Sequence, residues 1–214
     1  MTALGFACVG VRSDPYAAGP TLVFRLRITA AADTRVHALA LQCQLRIEPA
    51  RRPYADAEGE RLTDLFGTRD RWATTLNPVQ FATVPLLVPG FTGDTEIDLA
   101  VPCTYDQDVA SARYFRALDG GEVPLLLLFS GTAFAGPAGF QVSPVPWDRE
   151  ARVRMPVRVW REAIDGHFPD SGWLRLPDQV MDELLAYRSR RALPSWEATV
   201  RELLTAAAIG EAAR

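Results

Sequence analysis

Several residue types are scarce or missing in this chain of 214 residues, and each absence narrows the classes of protein to which it can belong. Lysine is missing, so all 23 basic residues are arginine, and Asn77 is the single asparagine. With abundant Ala, Gly and Pro, this composition is typical of a GC-rich genome, so the arginine excess does not by itself indicate arginine-specific recognition. The net charge of −3 gives no reason to expect nucleic acid or an anionic membrane as a partner.

Cysteine is also scarce. Cys8, Cys43 and Cys103 are an odd number with no CxxC pair, so neither a disulfide framework nor a zinc ribbon is indicated. One chain with three cysteines cannot assemble a four-cysteine iron–sulfur site. The longest apolar run, 123–129, is far shorter than the roughly 18 residues of a membrane span. The first stretch, "MTALGFACVG", lacks the basic and long apolar regions of a signal peptide. We therefore expect a cytoplasmic protein that needs neither a metal nor another cofactor.

Alternating apolar residues predict strands in the first two-thirds of the chain. In 21–29 and 37–48 every second side chain is apolar, so each strand has one buried and one wet face, and we expect the two to form an antiparallel pair. The run 123–134 is apolar at both parities, which is typical of a strand covered on both faces. Further strands are predicted at 79–88, 95–103 and 139–147.

Helical spacing appears at 57–67, which ends at Gly67, and at 106–121, where Asp106 or Asp108 is the expected N-cap. Three more helices are predicted near the C-terminus, beginning around Pro156, Pro177 and Ser195. Their expected apolar sides contain Val157, Trp160, Ile164, Val180, Met181, Leu184, Leu185, Trp196, Val200, Leu203 and Leu204.

This order of elements predicts an α+β fold. A mainly antiparallel β-sandwich-like core with two short helices is expected over 1–150. A three-helix C-terminal section is expected over 151–214, packed on that core as one structural unit. The sequence predicts neither the oligomeric state nor a ligand cleft.

Cys103, in the stretch "LAVPCTYDQD", has two interpretations. It is a candidate nucleophile, with Tyr105 and Asp106 as acid or base, or it is the last core residue of a strand. A catalytic thiol needs a base or an electropositive setting, and neither His37 nor His167 is near it in sequence. Since alternation along 95–103 places Cys103 on the apolar face, we interpret it as a core residue.

Other polar clusters resemble catalytic or metal sites less closely. Candidate ligands for a hard cation are Glu96 and Asp98, with Asp94 before them and Asp106 and Asp108 beyond. The spacing of a calcium loop is missing, and a wet strand face followed by an acid-rich helix start explains these residues. His167 and Asp170 lack a serine in a nucleophile elbow. The segment 169–172 is better interpreted as the stop after one helix, with Trp173 anchoring the loop against the core.

A binding surface is the remaining candidate. Arg25, Arg27 and Arg46 are expected to share one solvated sheet face, which would suit an anionic ligand or an acidic protein surface. An ordinary solvent face explains the same pattern. Interfaces also favour exposed aromatic residues. The candidates of this type are Trp72, Trp147 and Trp173.

The chain as a whole resembles a family of about this length from GC-rich bacteria that is catalogued as a domain of unknown function. The strings that carry the resemblance are "RWATTL", "VPCTYD", "YFRALDGGEVPLLLLFSGTAF", "PVPWD", "HFPDSGWLRL" and "LPSWEATVRELL". They identify the family but are not catalytic motifs. Members of that family are encoded near uptake nickel–iron hydrogenase genes, so the resemblance implies an accessory role in assembly, stabilisation or docking of that enzyme.

The function predicted first is therefore a non-catalytic accessory or protein-interaction factor, with a hydrogenase subunit or maturation factor as partner. Two alternatives remain open. One is a small enzyme that uses Cys103 or the nearby carboxylates, and the other is a carrier that holds a small ligand between the sheet and the helices.

Overall fold

The structure is a computed structural model that describes residues 4–31, 34–103, 109–136, 141–169 and 176–212. The chain divides into two compact units, Met1–Asp170 and Ser171–Arg214. Every described strand lies in the first unit, and the described elements of the second unit are two helices.

Two antiparallel sheets build the first unit. The smaller sheet contains, in spatial order, Leu4–Ser13 (β1), Thr21–Ala30 (β2) and Asp94–Pro102 (β5). The larger sheet contains, in spatial order, Val79–Thr92 (β4), Arg35–Ile47 (β3) and Glu122–Ala135 (β6). The other edge of β6 pairs with Gln141–Pro144 (β7) near its end and with Glu150–Pro156 (β8) near its start. The predicted α+β class with a β-sandwich-like core is confirmed.

The predicted alternation is present in both early strands. Arg25 and Arg27 of β2 are exposed, while the apolar residues between and around them are buried. The same holds in β3, where Cys43 and its apolar neighbours on the same face are buried. The residues that these two strands bury are Leu22, Phe24, Leu26, Ile28, Leu39, Leu41, Cys43, Leu45 and Ile47.

The predicted pairing of these two strands is wrong, because β2 and β3 lie in different sheets. β2 pairs with β1 and β5, and β3 pairs with β4 and β6. The apolar faces of the two sheets pack on each other, as shown by the stacked rings of Phe6 in β1 and Phe129 in β6, whose centroids are 4.3 Å apart. When the two strands lie in opposite sheets, their apolar faces bury each other. Side-by-side pairing in one sheet would leave both apolar faces on the same side, still in need of a cover.

The helices of the first unit are short. They are Asp56–Arg61 (α1), Thr63–Phe66 (α2), Trp72–Thr75 (α3), Val109–Ala117 (α4) and Val157–Asp165 (α5). The segment predicted as one helix is divided at Leu62 and ends as predicted at Gly67, whose φ is 73°. Pro156 is the N-cap of α5, and Asp106 and Asp108, the predicted caps of α4, lie outside the described residues. α4 and α5 meet where Phe115 stacks on Trp160.

At Gly131, the backbone of the central strand β6 lies too close to the backbone of β3 to leave room for a side chain. Gly131 pairs with Leu41 of β3 and has a φ of 139°. A Cβ at this position would lie 2.9 Å from the Cα of Leu41 and would clash with the carbonyl oxygen of Ala40. Since both obstacles are backbone atoms, a side chain here would displace β3 from β6.

The second unit contains Asp178–Arg190 (α6) and Trp196–Ala212 (α7). Ser195 caps α7 as predicted, since its hydroxyl accepts a hydrogen bond of 3.1 Å from the amide of Ala198. Ala192, in the connection between the helices, has a φ of 51°. No helix in the part of the chain that the structure describes is both long enough and apolar enough to span a membrane.

We predict that Gly131→Ala lowers the free energy of unfolding by about 3 kcal/mol, because the added methyl group meets fixed backbone on a paired strand. Urea unfolding followed by circular dichroism measures the change. Gly19→Ala is the matched control, since a Cβ at Gly19 meets nothing within 4 Å. Equal stabilities of the two variants would contradict the close approach of β3 and β6.

Candidate functional site

Cys103 lies directly after β5, on the inner side of the sandwich, as its position in the alternation predicted. Its amide donates to the carbonyl oxygen of Pro20 at 2.7 Å, which fixes it beside the start of β2. Burial raises the pKa of the Cys103 thiol to about 12. A thiol with this pKa is almost entirely protonated at neutral pH and is therefore a poor nucleophile. Its proposed helpers, Tyr105 and Asp106, lie outside the described residues.

The two arginines of β2 are neutralised by carboxylates of the neighbouring strand β5. Arg25 Nε lies 2.5 Å from Asp98 Oδ1, and Arg27 Nη2 lies 2.6 Å from Glu96 Oε1. Arg12 of β1 also contacts Asp98, at 3.2 Å. These guanidinium groups hold the pKa values of Glu96 and Asp98 below their ordinary range. The face is therefore a ladder of ion pairs, not a free cationic surface or a free cation site.

Arg46 does not join this face, so the prediction of one shared arginine surface is wrong. Arg46 belongs to β3 in the other sheet, and its Nη2 donates to Gln44 Oε1 at 2.8 Å. The reason is the same division of β2 and β3 between two sheets. No group of three or more His, Cys, Asp or Glu residues suited to a metal ion occurs within the described ranges.

The three tryptophans proposed for a binding surface have different surroundings. Trp72 is half-buried, and its Nε1 donates to the carbonyl oxygen of Gly67 at 3.0 Å. Its ring packs edge-on against Tyr54, with centroids 5.2 Å apart, so Trp72 anchors the α2–α3 connection. Trp147, between β7 and β8, is 90% exposed and is available for contact. Trp173 lies outside the described residues.

Arg52 and Glu58 form a buried ion pair in the first unit, which the sequence analysis did not predict. Both Arg52 Nη1 and Nη2 lie 2.9 Å from the Glu58 carboxylate, and both side chains are almost fully buried. Glu58 also accepts the amides of Ala55, at 3.1 Å, and Asp119, at 2.9 Å. The available signal was a glutamate at the third position of a helix, three residues after the N-cap Ala55, which is the position of a capping carboxylate.

The remaining hydrogen bonds of Arg52 reach the turn between α4 and β6. Its Nη2 donates to the carbonyl of Gly120 at 2.6 Å, and its Nε donates to that of Glu122 at 3.2 Å. Beside it, the hydroxyls of Tyr54 and Tyr114 are 2.8 Å apart. The cluster thus ties the segment after β3 to the turn before β6.

The hydrogen bonds from Arg52 lower the pKa of Glu58 from an ordinary value of 4.5 to about 2. A carboxyl with such a pKa is ionised near neutral pH, so it has no proton to donate as a general acid there. Its depressed pKa instead makes it a source of stability.

His167 links α5 to the loop before β2. Its Nδ1 lies 3.0 Å from the carbonyl oxygen of Ala163, and its Nε2 lies 2.9 Å from that of Ala17. The hydrogen bonds to Ala17 and Ala163 raise the pKa of His167, because a carbonyl oxygen only accepts and both ring nitrogens must then carry a proton. Asp170, its proposed catalytic companion, lies outside the described residues.

The second unit presents apolar side chains that the hairpin itself does not cover. α6 is described over its whole length, and none of its residues is buried. Leu185 is 43% exposed and Leu204 of α7 is 66% exposed. Large apolar residues of this hairpin that are exposed are Val180, Met181, Leu185, Trp196, Val200, Leu204 and Ile209. Most of the residues predicted as the apolar sides of two helices therefore form an outer surface here.

A shallow depression of about 400 Å³ also lies on this hairpin. It is lined by Val180, Glu183, Leu184, Ala186, Tyr187, Arg190 and Leu203. One of these lining residues is held by the other helix, because the Tyr187 hydroxyl donates to Glu202 Oε1 at 3.1 Å. The depression is therefore a surface feature of α6 and α7.

The first unit is thus a β-sandwich of the α+β class. A family model described as a family of unknown function (DUF6084) matches residues 1–212. The chain belongs to this family. No curated protein matches the chain.

Solved structures resemble the chain only distantly. A putative late embryogenesis abundant protein, solved in solution, has 12% identity and a TM-score of 0.35, with 72% of each chain covered. A β-glucosidase from Kluyveromyces marxianus has 8% identity and a TM-score of 0.25, covering 72% of this chain and 15% of the enzyme. β-Glucosidase 3B from Thermotoga neapolitana has 11% identity and a TM-score of 0.25, covering 72% of this chain and 17% of the enzyme. Similarity this low carries no argument about function.

We predict that Cys43 and Cys103 are not alkylated at pH 7.5 in the folded protein, because burial raises the pKa of each thiol to about 12. Peptide mass spectrometry after brief treatment with iodoacetamide measures the modification at each site. The half-buried Cys8 is the internal comparison, and all three thiols should react after denaturation. Fast alkylation of Cys103 in the folded protein would contradict the core assignment and restore the nucleophile hypothesis.

We predict that Glu58→Gln lowers the free energy of unfolding at pH 7 by about 3 kcal/mol, because it leaves the buried charge of Arg52 unpaired. Since the pKa of Glu58 is lower in the folded than in the unfolded protein, its contribution is complete above pH 4.5 and is lost as the pH falls towards 2. Urea unfolding at several pH values should therefore show the difference between wild type and variant narrowing below pH 4.5.

Glu60→Gln, on the exposed side of the same helix, is the matched control and should leave stability unchanged within about 0.5 kcal/mol. A constant difference between wild type and Glu58→Gln from pH 7 to pH 2.5 would contradict the depressed pKa of Glu58.

Proposed function

We propose that the protein is a non-catalytic accessory factor that acts by binding another protein, and that the exposed apolar stripe of its C-terminal hairpin is the docking surface. This stripe is defined as Met181, Leu185, Val200 and Leu204. It carries the proposal because a soluble protein rarely keeps such a series of exposed large apolar residues unless a partner covers them. Two-helix hairpins are also too small to bury a core of their own.

The chemistry of the first unit supports a role without catalysis. Cys103 has a pKa of about 12, and the carboxylates of Glu96 and Asp98 are engaged by arginines. The inner faces of the sandwich are filled by one cluster of buried side chains, which does not favour the carrier hypothesis. Outside the stripe, Trp147 is an exposed aromatic residue suited to an interface.

The partner that we propose is a subunit or maturation factor of a nickel–iron hydrogenase in the cytoplasm. Its support is the resemblance of the chain to a family encoded near such genes. The proposed role is assembly, stabilisation or docking of that enzyme, without a cofactor carried by this chain.

We predict that the tagged protein, purified gently from its native host under hydrogenase-inducing conditions, brings down a hydrogenase subunit or maturation factor in stoichiometric amount. Mass spectrometry identifies and quantifies the partner. Leu185→Glu with Leu204→Glu should lower its recovery by at least tenfold, because two charges would be buried at the interface. Leu87→Glu, which alters an exposed leucine of β4, is the matched control and should not change it.

Recovery of the protein alone would contradict the accessory role. Equal recovery of the partner by the hairpin variant and by the Leu87 control would contradict the hairpin as the docking surface.

A further inference from the structure

A second stripe of α6 lies about 150° around the helix from Met181 and Leu185, at 100° per residue. It contains Glu183, Ala186 and Arg190, which all line the depression on the hairpin. Glu183 and Arg190 are seven residues apart, so about two helical turns bring them to the same side of α6. Ala186, between them, has a side chain small enough for another helix to approach closely.

Neither Glu183 nor Arg190 is neutralised by an ion pair with another described residue of the hairpin. Glu183 accepts one hydrogen bond, of 3.3 Å, from the neutral amide of Gln179. Arg190 forms no ion pair with any residue that the structure describes. By contrast, Arg191 lies next to Glu202, and Arg188 covers the ring of Trp196. The acid and the base of the stripe are therefore both available to a partner.

The order of these two charges is self-complementary. When two copies of α6 run antiparallel about a two-fold axis close to Ala186, Glu183 of each copy lies opposite Arg190 of the other. The symmetry produces this contact twice, as in any isologous interface. A parallel arrangement in register would instead place glutamate against glutamate and arginine against arginine.

The apolar part of the depression fits the same occupant. Val180, Leu184, Tyr187 and Leu203 line it beside the two charges. A second hairpin seated here would cover these side chains, and the four helices together would form the layered core that two helices lack.

We propose that the protein forms a two-fold symmetric dimer in which α6 packs antiparallel on α6 of a second copy, with Ala186 at the crossing point and Glu183 opposite Arg190 in each direction. This dimer is independent of the partner proposed above, because it uses the opposite side of α6 from the docking stripe.

The test is sedimentation equilibrium of the full chain over a wide range of concentration. We expect a reversible dimer of twice the chain mass of 23.5 kDa. Glu183→Arg and Arg190→Glu should each raise the dissociation constant roughly tenfold, because each places like charges opposite one another twice. The double variant Glu183→Arg with Arg190→Glu should return to within about threefold of wild type, because it restores opposite charges.

The matched control exchanges an exposed pair on the other helix, Glu197→Arg with Arg201→Glu, and should dimerise like wild type. Circular dichroism of each variant separates loss of the helices from loss of the dimer. Ala186→Trp is a second probe that alters no charge, and it should prevent dimerisation by filling the crossing point.

A protein that stays monomeric at every concentration would overturn the proposal. A dimer that is indifferent to the two single charge reversals, or one that the double variant fails to restore, would overturn the antiparallel arrangement. Neither result bears on recovery of the hydrogenase partner, which depends on the opposite stripe, so failure of this inference is distinguishable from failure of the proposed function.

Discussion

Burial of two apolar sheet faces against each other is the constraint on which the first unit depends. Each early strand has one apolar face, and the contact between Phe6 and Phe129 marks where the two sheets meet. At about 25 cal/mol for each Å² of apolar surface removed from water, this burial is the largest favourable contribution to folding. This burial also decides the topology, because β2 and β3 lie in opposite sheets and so turn their apolar faces toward each other.

Ion pairs in the first unit connect the segments and strands around this core. Arg52 and Glu58 hold the segment after β3 against the turn before β6, and the ion pairs between β2 and β5 cover the outer face of the smaller sheet. A buried charge is tolerated only when it is paired and hydrogen-bonded, which explains why Glu58 has several donors. Charges consumed in this way are not available for catalysis.

The hairpin of the second unit differs from the first unit in both respects. Many of its large apolar residues are exposed, and the charges of Glu183 and Arg190 are not neutralised by ion pairs with described residues. One stripe, that of Met181 and Leu185, is the docking surface that we propose for a protein partner, and the other is the surface that we propose for a second copy of the chain. A dimer would present two docking stripes, so a partner with two equivalent sites would bind it more tightly than a monomer.

The sequence by itself determined the α+β class, the alternation of β2 and β3, the cap at Ser195 and the core position of Cys103, because these depend on local periodicity and backbone chemistry. Only the tertiary structure decided which strands pair, that Arg46 is separated from Arg25, and that Arg52 meets Glu58. It also decided which apolar helix residues remain exposed. An amphipathic pattern indicates that one face of an element is apolar. It does not indicate which surface covers that face, because the covering residues lie far away along the chain.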